Sequence, residues 1–326
     1  MRRSRLLRAA LVVAAAAGVA ALLVFRGPNW GQVGHALVSM VWWWALAAVG
    51  FNVASALVRG LAWRTVLVEA VPPPHPRLLD VASAFFIGIF ANGVLPGRVG
   101  EVVRVGVLVR RLPPRKGLWP ALLGSVVAHR LLEIFPSLGL IVWVLVAAKI
   151  PGWGRTALWS VAGVGLALFL AGIALARRHE HELPGGGRVM TLLRRAREGL
   201  GVLRRPRAAV QAAALQTAAW GLQLGAVWIA FRAFQLSLPV TAAAAVLALM
   251  NVALILPLWP GNVGLQQAAI ALPLVAYGVA YSRGFAYGIA LQAIESSVGY
   301  VGGIVFLLRE GLSLGRLRSL SPPASV

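Results

Sequence analysis

The chain has 326 residues, of which 59% are apolar and 12% charged. Soluble domains carry about 25% charged residues. Mean hydropathy is +0.80, yet the formal net charge is +22. The arginines alternate with long apolar blocks rather than forming one surface, so these values exclude both an ordinary soluble domain and a nucleic-acid-binding protein.

The uncharged blocks, taken in chain order, predict membrane spans. No Asp, Glu, Lys or Arg occurs in residues 9–25, 27–58, 81–97, 156–176, 208–231 and 233–282. Residues 118–148 and 284–308 are apolar with isolated charges. About 20 apolar residues cross a bilayer as a helix. We therefore predict an all-α polytopic membrane protein, a single integral membrane domain over residues 1–326 with about six to eight spanning helices. The first block is interpreted as an uncleaved helix rather than a signal peptide.

The positive charges orient these spans, because basic loops stay on the cytoplasmic side. Of the 31 Lys and Arg residues, 24 lie in five segments: the N-terminus, residues 59–77, 104–116 and 177–207, and the C-terminal tail. Five lie in the intervening loops, and Arg98 and Arg130 lie inside apolar sequence. This distribution predicts an inner (plasma) membrane protein with both termini cytoplasmic.

Two apolar segments must return to the side from which they enter, because similarly charged segments flank each of them. Each is interrupted by Pro-Gly-x-Val-Gly, at residues 96–100 and 260–264, which start 164 positions apart. A continuous helix tolerates neither residue type well. We predict two re-entrant helical hairpins of opposite sense, within an inverted repeat whose halves span about 37–176 and 208–308. The break residues are Pro96, Gly97, Gly100, Pro260, Gly261 and Gly264.

These breaks predict a site for an anionic group such as phosphate, since each precedes a short helix with free N–H groups and a positive dipole end. Ionisable residues inside a membrane are functional candidates because their burial is costly. The candidate substrate-binding residues are Arg98, Glu101, Arg130, Glu133, Asn92, Asn262 and Glu295.

Several of these candidates have a structural alternative. Glu101 either serves the site or is held by the helix dipole and Arg104. Arg130 and Glu133, three positions apart, either serve the site or neutralise each other. The two asparagines either donate to a head group or cap the half-helices. Glu295 is expected to face a cavity or a buried arginine.

The basic loop at residues 177–207 carries apolar residues at helical spacing between its arginines. This pattern predicts an amphipathic helix at about 188–205 that lies on anionic inner-leaflet lipids; the alternative is a charge run that only sets orientation. We predict no metal or other cofactor. The chain has no cysteine, and His179 and His181 do not share a helix face.

Four parts of the sequence resemble a known family. They are residues 92–104, the arginine pair at 110–111, residues 129–133 and the second Pro-Gly break. This family is the transmembrane region of the lysylphosphatidylglycerol synthetase family, also described as flippase-like membrane proteins, and the similarity covers about residues 37–308. The resemblance implies flippase-like activity. Full-length members add a soluble aminoacyl-transferring domain, whereas residues 309–326 are too short for one, so we expect no lysyl transfer and no enzyme activity.

We therefore expect a transporter that moves a phosphate-bearing or anionic (glyco)lipid between leaflets. Its partners would be a phospholipid or a polyprenyl-linked lipid, with no nucleic acid, and its oligomeric state is unknown. Arg98 and Arg130 would engage the phosphate, while the glutamates would set the arginines' geometry or couple to protons. Two alternatives remain: a polyprenyl-phosphate-dependent glycosyltransferase, with Glu101 as its base, and a non-transporting membrane scaffold.

Overall fold

A computed structural model describes residues 28–95, 99–177, 201–255, 262–313 and 315. Over these residues the ordered elements are ten α-helices and a short 3₁₀ helix, Gly201–Arg204. The α-helices are α1 (Trp30–Val38), α2 (Trp42–Ala70), α3 (Leu78–Val94), α4 (Gly100–Val109), α5 (Leu118–Ala147), α6 (Gly152–Arg177), α7 (Pro206–Ala233), α8 (Val240–Ile255), α9 (Leu265–Val275) and α10 (Tyr281–Glu310).

Five of these helices, α2, α5, α6, α7 and α10, are long and apolar enough to cross a membrane. Helix α3 has 17 residues and α8 has 16, so each is about 25 Å long and shorter than the hydrocarbon core of about 30 Å. The chain is thus an all-α polytopic membrane protein. The first predicted span, residues 9–25, lies outside the described residues, as does most of the predicted amphipathic helix at 188–205.

The short helices pair into two hairpins, α3 with α4 and α8 with α9. Glycine makes the first fold-back possible. A Cβ at Gly88 would lie 3.0 Å from the Gly100 carbonyl oxygen, and a Cβ at Gly100 would overlap the Gly88 carbonyl. In the second hairpin Gly264 precedes α9 with φ of +91°, a conformation that favours glycine. The break residues Pro96, Gly97, Pro260 and Gly261 lie outside the described residues.

The helix ends form two distinct ends of the molecule. At the first, which we call the basic end, Arg205 before α7 pairs with Glu69 near the end of α2, with 3.0 Å between Nε and Oε2. Arg115, from the basic segment before α5, also donates to the Pro72 carbonyl there, at 2.9 Å. At the second, the opposite end, the Val41 amide donates to the Ala233 carbonyl at 2.8 Å. The first hairpin starts from the basic end and the second from the opposite end.

The helix order repeats along the chain. Helices α2 to α5 have 29, 17, 10 and 30 residues, and α7 to α10 have 28, 16, 11 and 30. Helix α7 begins 164 positions after α2, at 206 and 42, and α10 begins 163 positions after α5, at 281 and 118. The contacts at the two ends show that α2 and α7 run antiparallel. Equivalent helices of opposite direction are what an inverted repeat requires.

Two contacts between α2 and α7 join a residue to the one 164 positions later. Ser55 Oγ donates to the Ala219 carbonyl at 2.8 Å, and Arg59 donates to Gln223 Oε1. A residue touches its own repeat equivalent only near a two-fold axis. The pseudo-two-fold axis therefore passes between α2 and α7 near Arg59. The boundaries of the halves, 37–176 and 208–308, stay a prediction.

The surface of the bundle matches a bilayer. Helix α6 exposes apolar side chains on more than one face, Val164, Leu166, Leu168 and Leu170. Near the opposite end, tryptophans 42, 43, 44 and 153 are exposed, as expected where a protein meets the lipid head groups. Inside, α8 is buried through four consecutive alanines, Ala242–Ala245, and small residues allow close packing of helices within a membrane.

Candidate functional site

Two adjoining cavities lie between the hairpins, with volumes of about 270 Å³ and about 850 Å³. They share five ionisable wall residues, Arg59, Glu101, Arg130, Glu133 and Glu295. With Arg104 and Gln223, which line the smaller cavity, these residues form what we call the polar cluster. Since Glu133 lies halfway along α5, the cluster is at the middle of the bundle.

The cavities extend from the polar cluster in opposite directions. The smaller one follows the first hairpin towards the basic end and is walled by Phe85 and Gly88 of α3. The larger one follows α5 towards the opposite end, where Ser137 and Ile141 line it, together with Ala248 of α8. The polar cluster therefore lies between a small space towards the basic end and a large one towards the opposite end.

Alternating ion pairs connect the cluster. Glu133 accepts from Arg59 at 2.8 Å and from Arg130 at 2.6 Å. Glu101 accepts from Arg130 and lies 2.5 Å from an Arg104 nitrogen. Each of these two carboxylates thus bridges two guanidinium groups. The alternation offsets much of the cost of removing charges from water.

Arg130 differs from its neighbours in exposure. Its side chain is 52% exposed, against 12% for Glu133 and 4% for Arg104. A guanidinium group has five N–H donors. Because Arg130 lies at mid-depth, is still exposed and lines the larger cavity, it faces that cavity rather than lipid tails. It is the cluster arginine best placed to meet a group in that cavity.

Arg59 and Arg104 belong to two of the five basic segments of the sequence, but the structure places both inside helices. Helix α2 continues for 11 residues beyond Arg59, so this side chain lies well inside the span. Arg104 is buried in the middle of α4, 4.6 Å above the Trp63 ring. Neither position is apparent from the sequence, because a run of charges does not show where a helix ends.

Gln223 is a cluster member that the sequence did not reveal, because a search for ionisable residues passes over an amide. Its Oε1 accepts from Arg59, and its Nε2 donates to Glu295 Oε1 at 3.1 Å. Glu295 faces both cavities, as expected, and joins the cluster through this amide. The Gln223–Glu295 bond in the second half is equivalent, within two positions, to the Arg59–Glu133 pair in the first.

The hairpin tips bring polar groups beside the cluster. Asn92 Oδ1 accepts from the Gly100 amide at 2.8 Å and so caps α4, the structural alternative considered for it. Glu101 lies in the first turn of α4, near its positive dipole end. At the second tip Gln267 Oε1 accepts from the Gly264 amide at 2.6 Å. Both short helices therefore begin with an amide cap on a glycine.

The second hairpin contributes neutral polar groups to the larger cavity. Asn262 is buried, and its Nδ2 lies 3.4 Å from the Ala253 carbonyl across the break. We use the name amide wall for Asn251, Asn262 and Gln266 of this hairpin together with Gln292 of α10, four of the amides that line the cavity. The first tip is thus charged, and the second is uncharged.

The remaining predicted candidates are accounted for as follows. Arg98 lies outside the described residues. His129, next to Arg130, is buried, and its Nε2 lies 3.2 Å from the Arg59 carbonyl and 2.9 Å from Gln216 Nε2. It supports α2 and α7 from within the packing. Among the described residues, no group of three or more His, Asp or Glu has a metal-binding arrangement.

The fold and cavities define an integral membrane protein with two opposed helical hairpins and an ion-paired site at mid-depth. The model of the family described as lysylphosphatidylglycerol synthase TM region matches residues 7–303. The chain belongs to this family, which confirms the resemblance noted in its sequence. No curated protein and no solved structure matches the chain.

Proposed function

We propose that the protein is a flippase-like lipid transporter, and not an enzyme, that moves a phosphate-bearing or anionic (glyco)lipid between leaflets. The observation that carries this proposal is the half-exposed Arg130 at mid-depth in a cavity lined from both hairpins. A guanidinium fork binds phosphate oxygens in a bidentate manner. Arg130 pairs with Glu101 and Glu133, but its guanidinium group has five N–H donors and is still half-exposed, so it can also donate to an anion that enters the cavity.

The ion pairs of the cluster suggest how a head group would cross. Three arginines and three glutamates line the smaller cavity, so ionised residues balance one another when no ligand is bound. A lipid phosphate would replace Glu101 or Glu133 as the partner of Arg130. Exchanging one anion for another keeps the arginine paired, which lowers the cost of bringing the phosphate into a low-dielectric interior.

The dimensions and lining of the larger cavity also support a lipid head group. Its volume of about 850 Å³ is within the usual range for small-molecule sites, about 300–1,000 Å³. The amide wall offers donors and acceptors to hydroxyl groups beyond the phosphate. Apolar residues such as Leu140, Val252 and Leu254 line the rest and suit the upper part of a lipid chain.

We place the protein in the inner (plasma) membrane with the basic end, and therefore both termini, on the cytoplasmic side. The basic segment at 188–205 would then contact anionic inner-leaflet lipids. This orientation implies that the larger cavity is reached from the outer side. The proposed substrate is a phospholipid or a polyprenyl-linked lipid.

The test is transport of a fluorescent anionic phospholipid by protein reconstituted into vesicles. Arg130→Gln should slow transport by about tenfold or more, because a charged hydrogen-bond partner is lost. Arg155→Gln, which changes an exposed arginine of α6 at the opposite end, is the matched control and should behave as the parent. Equal rates for the Arg130 variant and the parent would refute this role for Arg130. A parent that moves no lipid would refute the proposed function.

A further inference from the structure

The two hairpins are fastened at their bases by very different bonds. At the basic end, Glu310, the last residue of α10, holds both arms of the first hairpin. Its Oε1 accepts from Ser83 Oγ of α3 at 2.8 Å. Its Oε2 accepts from Arg111 Nε at 3.0 Å and from Arg111 Nη2 at 2.8 Å, just after α4. We call Ser83, Arg111 and Glu310 the basic-end latch.

The carboxylate of this latch is buried, since the Glu310 side chain is only 4% exposed. Hydrogen bonds to an ionised partner are about twice as strong as neutral ones. Removing one partner of a buried pair also leaves an uncompensated charge, which is strongly unfavourable. The first hairpin is therefore firmly held against α10.

The equivalent positions at the opposite end have no such groups. Matching the helix starts at 118 and 281, 78 and 240, and 100 and 265 relates Glu310, Ser83 and Arg111 to Ala147, Ala245 and Ala276. None of these alanines has a polar side-chain atom. The base of the second hairpin is fastened instead by a neutral hydrogen bond, from the Lys149 amide to the Tyr277 hydroxyl at 2.9 Å. Arg283 also donates to the Phe234 carbonyl at this end, at 2.6 Å, but that bond joins α10 to the end of α7 and not to an arm of the hairpin.

The two cavities differ in the same sense as the fastening of the hairpins. The larger cavity, of about 850 Å³, extends towards the opposite end, where the fastening is neutral. The smaller one, of about 270 Å³, extends towards the latched basic end. In an inverted repeat each hairpin can act as a gate, the element that opens or closes the route to the site from its own end. Because the two hairpins have the same backbone arrangement, an energetic difference between the two gates must come from their side chains.

We propose that the basic-end latch makes the opposite end the easier route to the polar cluster, because only the neutral fastening has to open there. Access from the basic end requires Glu310 to release Ser83 and Arg111, so that the first hairpin can move away from α10. This goes beyond the proposed function. It is tested by measuring access rather than transport, so a protein that moved no lipid would leave it unaffected.

The experiment uses the chain's lack of cysteine. Ser296→Cys places one thiol at mid-depth on the wall of the larger cavity. A membrane-impermeant maleimide is applied from one side or the other of vesicles with known protein orientation. The parent carrying this thiol should be labelled faster from the opposite end. Glu310→Gln should raise the ratio of basic-end to opposite-end labelling by about tenfold.

Two further variants keep the test decisive. Arg111→Gln changes a side chain that is 42% exposed, so it gives an answer even where Glu310→Gln does not fold, and it should shift the ratio in the same direction. Glu69→Gln breaks an ion pair at the same end that joins α2 to α7 and does not involve a hairpin, so it should leave the ratio unchanged. The proposal is overturned if the parent is labelled faster from the basic end. It is equally overturned if the folded latch variants keep the parent ratio.

Discussion

The two hairpins have nearly the same backbone and different side chains. Their arms have 17 and 10 residues in the first and 16 and 11 in the second. The first has a glutamate and an arginine in its short helix and a buried carboxylate at its base. The second has amides at its tip and a neutral bond at its base. The two halves of the repeat thus have equivalent helical hairpins, and their different side-chain charges make the hairpins unequally fastened.

The largest expected effect comes from removing a carboxylate of the polar cluster. Glu133→Ala leaves Arg59 and Arg130 without their shared partner in the interior. Breaking a buried pair in this way costs about 3–5 kcal/mol. Thermal unfolding in detergent should show a large loss of stability. Glu69→Ala, whose partner Arg205 is mostly exposed, is the control and should cost less than about 1 kcal/mol. Equal losses would mean that the cluster is as well solvated as the surface.

The two break glycines provide a second comparison of the hairpins. Gly100→Ala forces a Cβ into the backbone of α3 and to 2.6 Å from the Asn92 side chain, so it should cost about 1–3 kcal/mol or more. Gly264→Ala meets a positive φ instead, at about 1–2 kcal/mol. Gly50→Ala, which has open space around it, should be nearly neutral. The same unfolding measurement checks all three. A neutral Gly100 variant would contradict the close approach of α3 and α4.

The amide wall should matter for head-group identity rather than for charge. Gln266→Leu should slow transport of a lipid with hydroxyls beyond its phosphate by about fivefold, because one hydrogen bond is lost. Transport of phosphatidic acid, which lacks those hydroxyls, should change little. The exposed α7 residue Gln211, changed to Leu, is the matched control. If both lipids slow equally, the amide wall does not distinguish head groups.

The smallest effect is expected at the neutral fastening. Tyr277→Phe removes the hydroxyl that accepts from the Lys149 amide. It should lower the ratio of basic-end to opposite-end labelling at Ser296→Cys by about two- to fivefold, opposite in sign to Glu310→Gln. Tyr281→Phe, at the start of α10 near the same end, serves as the control. An increase in this labelling ratio would contradict the role of the Lys149–Tyr277 bond in closing the opposite end.

Part of the site could be predicted because a charged residue within an apolar span is recognisable in the sequence. Glu101, Arg130, Glu133 and Glu295 interrupt apolar text, and charges inside a membrane are expensive enough to signal a site. Arg59 and Arg104 could not be recognised in this way. They share basic segments with the loop residues Arg77 and Arg115, and only the positions of the helix ends place them in the interior.

The linear sequence by itself determined the helical membrane class, the two breaks and their half-chain spacing, because hydropathy and backbone propensity are local properties. The tertiary structure decided which charges meet. The partners are distant in the chain: Arg59 finds Glu133 74 positions away, Ser83 finds Glu310 227 positions away, and Gln223 links two helices by an amide that no charge count detects. The unequal fastening of the hairpins follows from these contacts, since hydrogen-bond geometry depends on which helices are neighbours and not on their order.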